Sequence, residues 1–151
     1  MLFDIITDSA CDLTPEVAQK LNIKVVPFYV SLNGEHYQKE GEEISVRSFY
    51  QFMVDNPLAY PKTSLPSIED FEQMFRKQAE AQRPTLCLCF TGKMSGCVGS
   101  ARNARELVLE DYPDAQIEVM DTASATVTEA IIVGNAVAIR DAGRTLEEAV
   151  I

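Results

Sequence analysis

Apolar and polar positions along the chain switch between a strand period and a helix period, and the switches mark out the elements. Residues 3–7, FDIIT, are a short apolar run of strand length. DSACDLTPE leads from it into a helix with Thr14 as cap and Pro15 in its first turn. IKVVPFYVSL (23–32) reads as one strand, NGE as a turn and EHYQKE as a polar return strand, which predicts a hairpin at a sheet edge. Ser45 caps a helix running through about Val54. DNPLAYPKTSLPS (55–67) is a proline-rich loop ending at Ser67, which stands with Asp70 at capping-box spacing before a helix over 68–82. Ile68, Phe71, Met74 and Phe75 recur at helical spacing, so that helix buries one face. The strand TLCLCF (85–90), a helix to Tyr112, the strand QIEVMD (116–121) and a long helix over 124–142 complete the pattern.

Alternating strands and helices, with nearly unbroken apolar strands, predict an α/β fold. Its mostly parallel sheet is flanked by helices on both faces, with the hairpin at one edge. Ligands of such sheets gather at the carboxyl ends of the strands, where the loops 7–12, 91–96 and 121–126 fall, each rich in hydroxyls. Gly143 suits a helix stop. RTLEEAVI then opens a new capped helix, with Thr145 and Glu148 in capping-box positions, and the chain ends after about two turns of it. The expected organisation is an α/β domain over 1–143, with 144–151 beginning a further segment that is cut short.

Composition narrows the function. A chain of 151 residues suits one domain, and no apolar run approaches the roughly 18 residues of a membrane span, so an integral membrane protein is not expected. Asp4 and Asp8 interrupt the first apolar stretch, which also lacks a positive flank, so it does not resemble a secretory signal and the cytoplasm is the expected location. Thirteen Lys and Arg against 23 Asp and Glu leave a formal charge of −10, which opposes nucleic acid as a partner. Cys11, Cys87, Cys89 and Cys97 show no CxxC pair, which favours core thiols, and the lone His36 follows a turn and reads as a surface residue.

Candidate chemistry centres on CLCFTGKMSGCVGSARNARELV (87–108), where a strand empties into a Gly, Ser and Lys loop and then a helix, the layout of an anion site. A helix cap alone explains the same Ser95-Gly96 pair equally well. Lys93 does not close a GxxxxGK run and no G-x-G-x-x-G spacing is present, so a nucleotide is weakly supported. The proline-rich loop adds a second hydroxyl pair, Thr63 and Ser64. Asp8, Asp12 and Asp121 match no calcium-loop spacing, so no metal is expected; Asp8 and Asp121 are expected to accept loop amides, with Ser9 beside them. No cofactor motif stands out.

Four stretches, TDSACDLTPE (7–16), YPKTSLPS (60–67), TGKMSGCVGSA (91–101) and VMDTASAT (119–126), resemble in order and spacing the signature stretches of the DegV family of bacterial fatty-acid-binding proteins. The resemblance implies an amino-terminal α/β domain followed by a second domain. It further implies a non-enzymatic carrier that buries a long-chain fatty acid and presents its carboxylate to a fatty-acid kinase, which makes an acyl phosphate for phospholipid synthesis. Carried over by motif, the carboxylate-holding hydroxyls fall on Thr63, with Ser64 beside it, and on Ser95, with Gly96 as backbone donor. Leu65, Met94, Cys97 and Thr122 depart from the usual family residues. A phosphate- or nucleotide-handling enzyme using the Gly-rich loop is the rival reading; it requires a base or metal that the sequence does not display.

Overall fold

The computed structural model describes residues 2–150. Its main sheet has four parallel strands, β1 (Asp4–Asp8), β2 (Ile23–Val26), β6 (Thr85–Cys89) and β7 (Ile117–Asp121), in the order β2-β1-β6-β7. All five residues of β1 and of β6 are buried, as strands covered on both faces require. The side-chain period of two divides each strand between two layers. Ile6, Cys87 and Cys89 pack on Phe71 and Phe75 of α3 (Ile68–Glu80) and on Ala101, Ala104 and Val108 of α4 (Cys97–Asp111). Ile5, Leu86 and Leu88 face the other way, onto Ala18 of α1 (Pro15–Lys20), Val133, Ala136 and Val137 of α5 (Thr126–Asp141) and Leu146 of α6 (Leu146–Ala149).

The caps read from the sequence are in place. Thr14, Ser45, Ser67 and Thr145 each accept a first-turn amide through the side chain, and Ser67/Asp70 and Thr145/Glu148 close full capping boxes.

One expected element divides. Residues 23–32 form two strands: β2 in the main sheet, then β3 (Tyr29–Ser31) after a break at Pro27 and Phe28. Pro27 has no N–H to continue a ladder, and β1 ends opposite Val26. β3 does form the expected hairpin with β4 (Gln38–Lys39). Its other side pairs antiparallel with β5 (Lys62–Ser64), so the hairpin belongs to a separate three-stranded sheet, in the order β4-β3-β5. β5 falls inside the stretch expected to be loop. All three of its residues are exposed, and so short a polar strand leaves no apolar alternation to read. Between β4 and β5 runs α2 (Val46–Asp55), which has no buried residue.

Candidate functional site

The three loops expected at the carboxyl ends of the strands are tied to one another by carboxylates. Asp8, fully buried, accepts the Phe90 N–H at 2.7 Å and the Cys97 thiol at 3.3 Å through Oδ2, and the Ala10 N–H at 3.1 Å through Oδ1. Asp121 accepts the Gly92 N–H at 3.1 Å and the Ala123 N–H at 2.8 Å. Gly92 must be glycine here: a Cβ would lie 2.9 Å from Asp121 Oδ2 and 3.1 Å from Val98 Cγ1. The Thr91 N–H donates to the Ser124 carbonyl, and the Thr122 hydroxyl to the Cys89 carbonyl. The Gly-rich loop is thus clamped from β1 on one side and β7 on the other. The last loop stores strain, since Ala123 and the β-branched Thr126 both take positive φ, 50° and 52°.

Ser9 joins the small sheet to the main one. Its hydroxyl donates to Glu40 Oε2 at 2.6 Å, just past β4, and accepts the Phe28 N–H at 2.9 Å, just before β3. The Phe28 ring meets the Phe90 ring edge to face, 6.0 Å between centroids. Beyond β5, Asp70 accepts the Tyr29 hydroxyl and pairs with Lys39 at 2.9 Å while completing the cap at Ser67. Both ends of the 62–67 segment are therefore anchored.

These anchors hold the chain after β5 against the Gly-rich loop. Thr63 and Ser64 lie on β5, opposite Val30 and Tyr29, and both are exposed. Leu65, next in the chain, places its Cδ2 only 3.5 Å from where a Cβ on Gly96 would be, so β5 runs into the Gly-rich loop beside Ser95 and Gly96. Gly96 is exposed and precedes α4 as its cap residue, where it has no side chain to offer, and the first turn holds no acidic residue. Ser95 is half-buried and its Oγ already accepts the Cys97 N–H at 3.2 Å, so the hydroxyl proton remains to be donated elsewhere. Two hydroxyl-bearing segments thus border a 15-residue helix whose leading amides attract negative charge.

Sequence reasoning missed Glu129. At the start of α5 it reads as an ordinary first-turn acid, yet it is fully buried, and neither its oxygens nor the Thr7 hydroxyl finds a partner among the described residues. Burial, reinforced by the nearby Asp8 carboxylate, pushes its pKa up to about 8, so it holds its proton at neutral pH. Burial also raises Asp8, against the pull of the Phe90 amide. Only the tertiary packing of α5 on the turn after β1 could reveal this. His36 is exposed, as expected, and the four cysteines are buried and free. Among the described residues, no helix is long and apolar enough to cross a membrane.

Residues 2–151 match the model of the family described as "Uncharacterised protein, DegV family". A DegV domain-containing protein of Streptococcus pyogenes serotype M1 is 36% identical over 148 residues, 98% of this chain and 51% of that protein. Among solved structures, a stearic acid-binding protein from Eubacterium ventriosum matches with a TM-score of 0.95 and 43% identity, over 99% of this chain and 51% of its own. The Fatty Acid Kinase (Fak) B3 protein of Streptococcus pneumoniae, loaded with linoleic acid, matches with a TM-score of 0.82 and 27% identity, over 99% of this chain and 52% of its own. The chain spans about half the length of these relatives.

Proposed function

Because the chain belongs to the DegV family, we propose that it is the carboxylate-holding half of a fatty-acid carrier, which presents a bound long-chain acid to a fatty-acid kinase and is not itself a catalyst. The observation that carries this reading is the contact of Leu65, which follows β5, with Gly96 at the start of α4, whose first turn holds no acidic residue. A carboxylate leaving water loses hydration and needs several donors in return. Thr63, Ser64 and Ser95 offer hydroxyl protons and Gly96 a backbone amide, each charge-assisted bond contributing roughly 1.5–3 kcal/mol. Leu65 and Met94, exposed in the two segments that meet at Gly96, supply apolar surface for the first methylenes. No group need accept a proton from the ligand, which suits presentation of a carboxylate to a separate kinase.

Relatives twice as long supply a second half. We assign most of the tail's cover to that half: exposing five methylenes at ~0.8 kcal/mol each weakens binding about a thousandfold. On this reading the head-group domain includes α6, whose Leu146 packs into its core. Isothermal calorimetry of this chain against saturated acids from decanoic to octadecanoic tests the reading. Weak binding that strengthens by less than ~0.8 kcal/mol per added methylene is expected. No response to any acid, with binding of a nucleotide or phosphate ester instead, would replace it with the phosphate-handling alternative.

A further inference from the structure

Asp8 ends β1, Cys89 ends β6 and Cys97 opens α4, and the ligand atoms of these three fully buried residues lie within 4.8 Å of one another. One separation is more specific: Cys97 Sγ to Asp8 Oδ2 is 3.3 Å. Around a tetrahedral zinc ion, bonds of about 2.3 Å to sulfur and about 2.0 Å to oxygen put two sulfurs about 3.8 Å apart and a sulfur and an oxygen about 3.5 Å apart. The Asp8–Cys97 edge already has nearly that sulfur–oxygen length, and the third ligand atom, Cys89 Sγ, lies within 4.8 Å of both. We propose that Asp8, Cys89 and Cys97 form a buried binding site for a thiophilic divalent cation.

The ligands come from three separate segments, which is why no CxxC spacing announces them. Three anionic ligands exceed the charge of a divalent ion by one, and the backbone amides around Asp8 offset part of the excess. The Phe90 and Ala10 amides donate to Asp8, and Cys97 is the first residue of α4, whose leading amides favour negative charge; without an ion, the hydrogen bond with Cys89, burial and the Asp8 carboxylate keep the Cys97 thiol protonated, so metal binding must displace that proton. As each sulfur–metal bond forms, the thiol proton leaves to solvent, including the one Cys97 donates to Asp8. The ion would join the residue before the Gly-rich loop to the residue after it, fixing the segment that carries Ser95 and Gly96. This proposal does not depend on the fatty-acid reading.

The test uses the reduced chain, stripped with a chelator, then equilibrated with Zn²⁺ both folded and during refolding, and gel-filtered before metal analysis. One equivalent retained by either route is expected, and Co²⁺ in its place should show thiolate-to-metal charge-transfer absorption with tetrahedral d–d bands. Cys97→Ser and Cys89→Ser, checked for folding by circular dichroism, should weaken retention roughly tenfold or more. Cys11→Ser, which alters a buried thiol outside the group, should retain the full equivalent. No retained metal by either route, a Co²⁺ spectrum without thiolate bands, or undiminished retention in a folded Cys97→Ser would overturn the proposal.

Discussion

β1 and β5 both lead toward the candidate site, yet every residue of β1 is buried between two helical layers and every residue of β5 is exposed. The Gly-rich loop takes its position from the first environment. Asp8 and Asp121 hold its amides, and Gly92 admits the close approach of Asp121. Thr63 and Ser64 take theirs from a three-stranded sheet attached by a few polar links, Ser9 to Glu40 and Asp70 to Tyr29 and Lys39, and by the Phe28 and Phe90 rings. One half of the candidate cradle is therefore part of the folding core, and the other is an exposed ledge carried on the small sheet.

The division is broken most severely at Asp8. Asp8→Ala leaves the Phe90 and Ala10 amides without their acceptor in a buried setting, and we expect a loss of roughly 3 kcal/mol of stability, visible as a lower thermal midpoint. An unchanged midpoint would mean that the core does not hold the loop.

Glu129 sharpens the same side with the opposite sign. Its folded pKa of about 8 lies above its ordinary value of 4.5, so the folded chain binds this proton more tightly than the unfolded one. Its contribution is intact below pH 4.5 and is lost as pH rises through about 8. Glu129→Gln removes the ionisation and should gain on the order of 2 kcal/mol at the alkaline end, leaving a flatter profile of thermal midpoint against pH. A variant as pH-dependent as the native chain would show that Glu129 is not the titrating group.

On the binding side, Ser95→Ala and Thr63→Val should each cost roughly 1.5 kcal/mol of fatty-acid affinity, about a tenfold rise in dissociation constant by calorimetry. The Thr63→Val midpoint should barely move, because Thr63 is exposed, and Ser95→Ala should lose about 1 kcal/mol of stability with the acceptor of the Cys97 N–H. Stability lost with binding retained would make them loop supports. The smallest effect belongs to the ledge's outer surface: Val54→Ser on α2, at a side chain 73% exposed, should change stability by less than about 0.5 kcal/mol by chemical denaturation.

The same contrast explains what the sequence disclosed. The parallel core was legible because Ile5, Ile6, Leu86 and Leu88 are apolar on both faces of their strands, and because Thr14, Ser45, Ser67 and Thr145 are strong caps. The loops of the site were legible from their place after those strands. The ledge was not: three polar residues of β5 carry no period, and the division at Pro27 depends on where β1 ends. The approach of Leu65 to Gly96 and the burial of Glu129 are tertiary facts with no local signal.

The central claim is that β5 and the start of α4 together hold a carboxylate, and amide chemical shifts test it most directly because they report weak binding. The isotopically labelled chain is titrated with octanoate and, separately, with 1-octanol. The account predicts shifts at Thr63, Ser64 and the amides from Ser95 to Val98 with the acid and not with the alcohol. Equal shifts with both ligands would contradict it, as would acid-specific shifts confined to the groove at the opposite end of the sheet, around Arg83, Tyr112 and Gln116.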